Sequence, residues 1–287
     1  MTTPAVDTSG GAPSSGSTPL EEPANLTWWQ RYGDTTIIWT GRLTLLLALV
    51  VLWELLSGPV LDPLFVSRPS DVAERLVGWV GDGTLWTHTW ITVREIFGGY
   101  LLGAVTGMVA GFAVASQRNL ARIIDPFMMA LYSVPKVALA PLFIVWFGIG
   151  LQMKILLAAV MVFFLVFLNT VAGVRQVDRG IVDAARLMGA SRRELLIKVT
   201  LPASFTGVIT GLRVAIPYAL IGAVIGELVA SNRGLGYLIS NSAATFDTAG
   251  VFAALVVLSV IAAVVNMLVD MLGRRTDRWK PLEREPS

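Results

Sequence analysis

Three ionisable side chains, Lys136, Arg213 and Glu227, stand inside runs of sequence that are otherwise apolar enough to cross a bilayer. A charge at bilayer depth costs roughly 2.5 kcal/mol or more, so such residues mark a pathway or pair with one another. Lys136 lies ten residues beyond Pro126 and Arg213 eleven beyond Pro202; at about 1.5 Å per residue both are expected ~15 Å into the membrane. Two cations at one depth attract an anion. Lys136 and Arg213, with Glu227 and the flanking Pro135 and Pro141, are therefore the candidate translocation path. The same cations are equally served by pairing with Glu227 or by snorkelling along bent helices, and the residues alone leave both readings open.

The chemistry in prospect is electrostatic rather than covalent. The chain has no cysteine and one histidine, His88, which falls outside the predicted spans. Thiolate or histidine metal sites and a catalytic triad are thereby excluded, and no metal or cofactor is expected. No G-x-x-x-x-G-K-[ST] occurs, so any ATP-derived energy must come from another subunit. No nucleic-acid partner is expected.

The elements that would position these residues follow from composition. Of 287 residues, 54% are hydrophobic and 15% charged, and the mean hydropathy is +0.68. That composition defines an all-α, polytopic membrane protein with the bilayer as its main partner. Six apolar segments approach the ~20 residues needed to span hydrocarbon: 43–61, 96–115, 127–148, 155–174, 205–228 and 251–272. Between the first two, Val72, Leu76 and Trp79 predict an amphipathic helix lying at the surface. Residues Met1 to Leu26 are rich in Ser, Thr, Gly and Pro and lack an apolar core, which predicts a disordered tail. The organisation expected is a tail over 1–30, a membrane domain over 31–274 with a polar loop at 175–204, and a second tail over 275–287.

Charge decides the orientation. An even number of spans puts both termini on one side. Arg31, Arg42, Arg118, Arg122, the six cations from Arg175 to Lys198 and the five from Arg274 to Arg284 then share that side. They outnumber Arg68, Arg75, Arg94, Lys154 and Arg233, on the other, three to one. The positive-inside rule makes the richer side, with both termini, cytoplasmic.

Within the spans, Gly99, Gly103, Gly107 and Gly111 recur every fourth residue, a ridge that lets another helix approach closely. Gly207 with Gly211 and Gly222 with Gly226 repeat the pattern. Asp125-Pro126 predicts an N-cap and N1 proline opening the third span, and Pro135 and Pro141 predict kinks inside it.

The loop Asp178–Pro202 carries Arg179, Arg186, Arg192, Arg193 and Lys198 and must be aqueous. Ile181, Ala185 and Met188 fall on one helical face, Gly189 sits where a left-handed residue would stop that helix, and Ser191 with Glu194 forms a capping box for a second helix that Pro202 would end. The small residues Ala184, Ala185, Gly189 and Ala190 would let another protein approach the backbone. An amphipathic helix resting on headgroups explains the period as well.

Asp183-Ala184-Ala185, then Gly189-Ala190, then Leu201-Pro202 resemble the E-A-A-x3-G-A-x10-L-P motif of permease subunits of prokaryotic ABC importers. The first acid is Asp183 where that family usually has Glu, and Thr206 stands where many members have a second proline. The run Pro135 to Leu142, Trp146 to Gly150, Gly211-Leu212-Arg213, Glu227 and Gly234 to Leu238 resemble the subset importing nitrate, sulfonates, taurine or bicarbonate. The resemblance implies a type I importer permease fold in the cytoplasmic (inner) membrane. It implies that Asp183, Ala184, Ala185, Gly189, Ala190, Leu201 and Pro202 couple to an ABC ATPase present in two copies. It also implies a second permease chain, in a homodimer, and an extracytoplasmic solute-binding protein delivering a small anionic solute. Two other classes fit less well: a secondary ion-coupled transporter would typically show inverted repeats, which are not evident here, and an intramembrane enzyme needs a nucleophile with its base or paired aspartates in the spans.

Overall fold

In hydrocarbon a backbone can satisfy its N–H and C=O groups only internally, so long Leu, Val, Ala and Gly runs must become helices. The computed structural model describes residues 28–62 and 64–276. Residues 1–27 of the N-terminal tail expected over 1–30 and most of the C-terminal tail lie outside them; residues 28–30 already belong to the first helix. Among the described residues the structure is helical, with one isolated bridge between Ser57 and Leu61. In order the elements are α1 (Trp28–Leu56), α2 (Pro69–Gly81), α3 (Thr84–Ala115), α4 (Arg118–Ser133), a 3-10 turn (Lys136–Leu139), α5 (Ala140–Phe147), α6 (Leu151–Arg175), α7 (Arg179–Leu187), α8 (Arg192–Glu194), a π turn (Leu195–Thr200), α9 (Leu201–Ala203), α10 (Phe205–Ala230), α11 (Leu235–Ala244) and α12 (Thr248–Thr276). Helices α1, α3, α6, α10 and α12 are each long and apolar enough to cross a membrane, and α4 with the segment after it is a sixth span if taken as one. The chain divides after Leu52 into two units. The first holds the larger part of α1; every site described below lies in the second.

Helix α6 is the centre of this second unit. Met153, Leu157, Ala158, Val162, Val166 and Thr170 on it are fully or almost fully buried. The glycines of α3 explain why. A Cβ at Gly99 would sit 3.0 Å from the Ile155 carbonyl oxygen, at Gly103 2.7 Å from Val162 Cβ, at Gly107 2.7 Å from the Phe163 oxygen and at Gly111 2.8 Å from Thr170 Cβ. Helix α10 presses the other flank in the same way: added carbons at Gly211, Gly222 and Gly226 would meet Asn169, Ala158 and Lys154. Lipid is as apolar as leucine, so burial alone does not hold helices together there; close backbone contact multiplies small dispersion terms instead.

Several expectations are corrected. The helix with Val72 and Trp79 is amphipathic, with most of its residues exposed, and its inner face is not left to the headgroups: α2 buries Val72 and Trp79 against Leu235, Leu238, Ala253, Ala254 and Leu258 of α11 and α12. The second span begins at Thr84 rather than near Ile96, which brings His88 and Glu95 into α3. Asp125-Pro126 opens nothing, because α4 starts at Arg118 and runs through Pro126. The third span is not one kinked helix. Val134 is extended, as a residue before proline tends to be, and α4 meets the 3-10 turn and α5 at 82°.

Candidate functional site

Three places carry polar groups that the apolar core does not require. The first is the corner between α7 and α8. Asp178 caps α7 by accepting from the Gly180 amide at 2.7 Å. The helix ends at Gly189 with φ +86°, where the Gly189 amide donates to the Arg186 carbonyl at 2.9 Å and the Ala190 amide to the Ala185 carbonyl at 3.1 Å. That pair of bonds is a Schellman stop, which favours glycine at the left-handed position. The capping box follows: the Ser191 amide donates to Glu194 Oε2 at 3.1 Å and the Glu194 amide to Ser191 Oγ at 3.3 Å. Lys198, bonded to Glu194 at 3.0 Å, together with the Ser191 donors holds the Glu194 carboxyl down at about 2. At the tip Leu187 and Met188 are 90% and 88% exposed, and Asp183, Ala184 and Gly189 are exposed beside them.

Pro202 does not end the second helix. An α-helical proline would strike the carbonyl four residues back; the π turn widens the chain ahead of it, with the Leu201 amide donating to the Leu196 carbonyl. The helical path then continues through Leu201 and Pro202 to Ala203, and α10 starts at Phe205.

The second place is the break between α4 and α5. The Lys136 ammonium bonds the Tyr132 carbonyl and, at 3.4 Å, that of Val134. It also lies 4.3 Å over the Tyr132 ring and 5.0 Å over that of Phe164. Carbonyls released where α4 stops are thus covered by the lysine, with Pro135 and Pro141 on either side of the 3-10 turn. The 82° bend removes the straight-helix count that put Lys136 at the depth of Arg213. Arg213 is half-buried on α10.

The third place joins one expected path residue, Glu227, to two that the sequence did not mark, Glu95 and Lys154. Glu95 of α3, Lys154 of α6 and Glu227 of α10 are 0%, 5% and 1% exposed. Lys154 Nζ is 2.5 Å from Glu95 Oε1 and donates to Ser231 Oγ at 3.0 Å. Glu227 accepts from Thr92 Oγ1 at 2.7 Å and from the Gly236 amide at 2.6 Å. It pairs with neither cation proposed for it: Arg213 is fourteen residues away on the same helix, about 21 Å along the axis. His88 Nδ1 lies 2.9 Å from the Gly234 nitrogen and 3.0 Å from its carbonyl oxygen, so the ring bonds that residue in either tautomer. A side chain at Gly234, φ +112°, would run into the Glu227 carboxylate. Lys154, counted as an external charge, is therefore buried in protein. Its signal in the sequence was the long apolar run that follows it, and that of Glu95 the one it adjoins; neither pattern reveals that the two meet.

Among the described residues no group of His, Asp and Glu could hold a metal. The geometry defines a multi-span membrane protein with an exposed corner between α7 and α8. Residues 103–278 match the family described as the binding-protein-dependent transport system inner membrane component, and the chain belongs to that family. It is 36% identical to the riboflavin transport system permease protein RibX of Chloroflexus aurantiacus, over 82% of this chain and 88% of that one. It is 32% identical to the taurine transport system permease protein TauC of Escherichia coli, again over 82% and 88%. Among solved structures, the MetNI methionine ABC transporter in an inward-facing conformation aligns with TM-score 0.60 at 20% identity, over 67% of this chain and 96% of that one. The fold is that of type I ABC importer permeases, and the protein is an ABC importer permease rather than an enzyme or an ion-coupled carrier.

Proposed function

We propose that this permease moves a small solute bearing an acidic group, and that the α7–α8 corner couples it to a separate ATPase. The observation that carries the coupling is the corner itself. A Schellman stop and a capping box hold Leu187 and Met188 out in solvent, where a partner's cleft could take them. The apolar tip favours a protein partner over a flat headgroup layer, since α7 presents Asp183 and Arg186 at its exposed surface as well. In this reading Asp183, Ala184, Ala185, Gly189 and Ala190 meet the ATPase, while Leu201 and Pro202 transmit its motion through the π turn to α10. The working complex holds two identical permease chains, two ATPase subunits and an extracytoplasmic solute-binding protein. The cation-rich α6–α10 connection and both termini face the cytoplasm.

The reading of an anionic solute rests on Lys136 and Arg213 as cations carried by membrane segments. Relatives carry names for taurine and riboflavin transport, so the acidic group rests on this chain's own residues. Gly189→Val tests the coupling: a β-branched residue at positive φ costs about 1–2 kcal/mol. The variant should insert normally, lose ATPase in pull-down and lose uptake. Retained pull-down and uptake would remove the corner from the mechanism. Proteoliposome uptake of an alkanesulfonate against a matched neutral amide tests the solute; preference for the amide would defeat the anion reading.

A further inference from the structure

Beside the buried Glu95–Lys154 pair, a cavity of about 350 Å3 opens between the start of α6, the end of α10 and α3. That volume is at the small end of the range of ligand sites, roughly 300–1,000 Å3. Arg94, Glu95, Gly150, Lys154, Ser231 and Arg233 contribute its polar lining. Three cations thus face one carboxylate. Lys154 is taken by Glu95 and Ser231, whereas Arg94 and Arg233 are exposed and their side chains make no ion pair or hydrogen bond among the described residues. Glu227, the nearby second acid, does not line the cavity and is held by Thr92 and Gly236. The first turn of α6 adds to the positive end, since Gly150 precedes it without a side-chain cap, leaving amides and the helix dipole uncompensated there.

We propose that this cavity is an oxyanion-binding vestibule, in which Arg94 and Arg233 grip a sulfonate or carboxylate group of the solute and the Lys154–Glu95 pair forms a fixed polar floor. Guanidinium forks suit such groups because they donate two parallel hydrogen bonds to one oxyanion. The buried pair ties α3 to α6, and Lys154 also bonds Ser231 at the end of α10, so the arginines, which α3 and the α10–α11 turn carry, line one opening. On the orientation proposed above, it lies at the extracytoplasmic end, where a delivered solute arrives before it reaches the α4–α5 break. The vestibule rests on the reading of an anionic solute.

The test uses the full-length permease with its ATPase, in proteoliposomes and in detergent. Arg94→Gln and Arg233→Gln are each expected to raise the apparent KM for alkanesulfonate uptake on the order of tenfold, with maximal rate and ATPase pull-down unchanged, because each removes a charge-assisted bond to the oxyanion. Methanesulfonate should raise the melting temperature of the parent above that in chloride of equal ionic strength, and the double variant should lose the shift. An unchanged KM and a retained shift in the double variant would overturn the vestibule while leaving the anionic solute standing. A parent that takes up only the neutral amide would instead defeat the solute reading. If the double variant keeps the methanesulfonate shift but no longer binds the solute-delivering protein, the arginines meet an acid on that protein and the proposal falls.

Discussion

The two ends of α6 handle charge in opposite ways. At its start Lys154 is buried against Glu95, with side-chain exposures of 6% and 1%. Beyond its end, the α7–α8 corner carries Asp183–Arg186 and Glu194–Lys198 pairs whose side chains are 47–71% exposed. Exposed pairs are worth about 0–1 kcal/mol. Removing one partner of a buried pair strands a desolvated charge and costs several kcal/mol. The first end is therefore a clamp on three helices. The second holds its shape through backbone bonds at Gly189 and Ser191, and little of the protein's stability is invested in it. A moving lever fits the second description, since it can shift without breaking the core.

The largest effect expected is at the clamp. Lys154→Met leaves Glu95 without its cation, and thermal unfolding in detergent should show a loss of about 3–5 kcal/mol. Adding Glu95→Leu should recover most of it, because the second replacement removes the carboxylate that the first one stranded. A double variant as unstable as the single would show that packing around Lys154, not charge, is what matters there.

A smaller loss is expected along the ridge between the two ends. Gly107→Leu puts a side chain where a single Cβ already comes within 2.7 Å of the Phe163 carbonyl. Overpacking typically costs about 1–3 kcal/mol. Folded yield and melting temperature should both fall, and normal values would show that α3 can move away from α6 freely.

The smallest effect belongs to the corner and appears only in acid. The Glu194 carboxyl is held at about 2 against an ordinary 4.5, so its bonds to Ser191 and Lys198 stabilise the corner fully above pH 4.5. That contribution is lost as pH falls through about 2. Amide exchange at Ser191 and Glu194 should stay flat from pH 7 to 5, after correction for intrinsic rates, and quicken in stronger acid. In Glu194→Gln the acid dependence should disappear. A clear change between pH 7 and 5 would place its cause outside Glu194.

Much of this was legible without coordinates. Five of the spans, Gly189 as a helix stop, the Ser191–Glu194 box and the four-glycine ridge are local patterns: each depends on a fixed spacing along a single helix or turn. The family was legible too, through the seven-position motif that ends at Pro202. The misreadings also share a cause. Pro202 and Asp125-Pro126 carry standard local preferences that the chain overrode, one by widening into a π turn and the other by running a helix straight through.

What tertiary structure alone decided is which neighbours meet across helices. Glu95 and Lys154 are 59 positions apart, and each sits near the edge of an apolar run. Nothing in either run reveals its partner. Glu227 offered two cations within the spans as counterions and took neither, because α10 carries it to the end where Thr92 and Gly236 wait. Sequence determined that charges would lie in or beside the membrane, since side-chain chemistry and span length are local properties. Their pairing depended on how α3 and α10 seat against α6. That seating is set by contacts between backbones that glycine allows but does not specify.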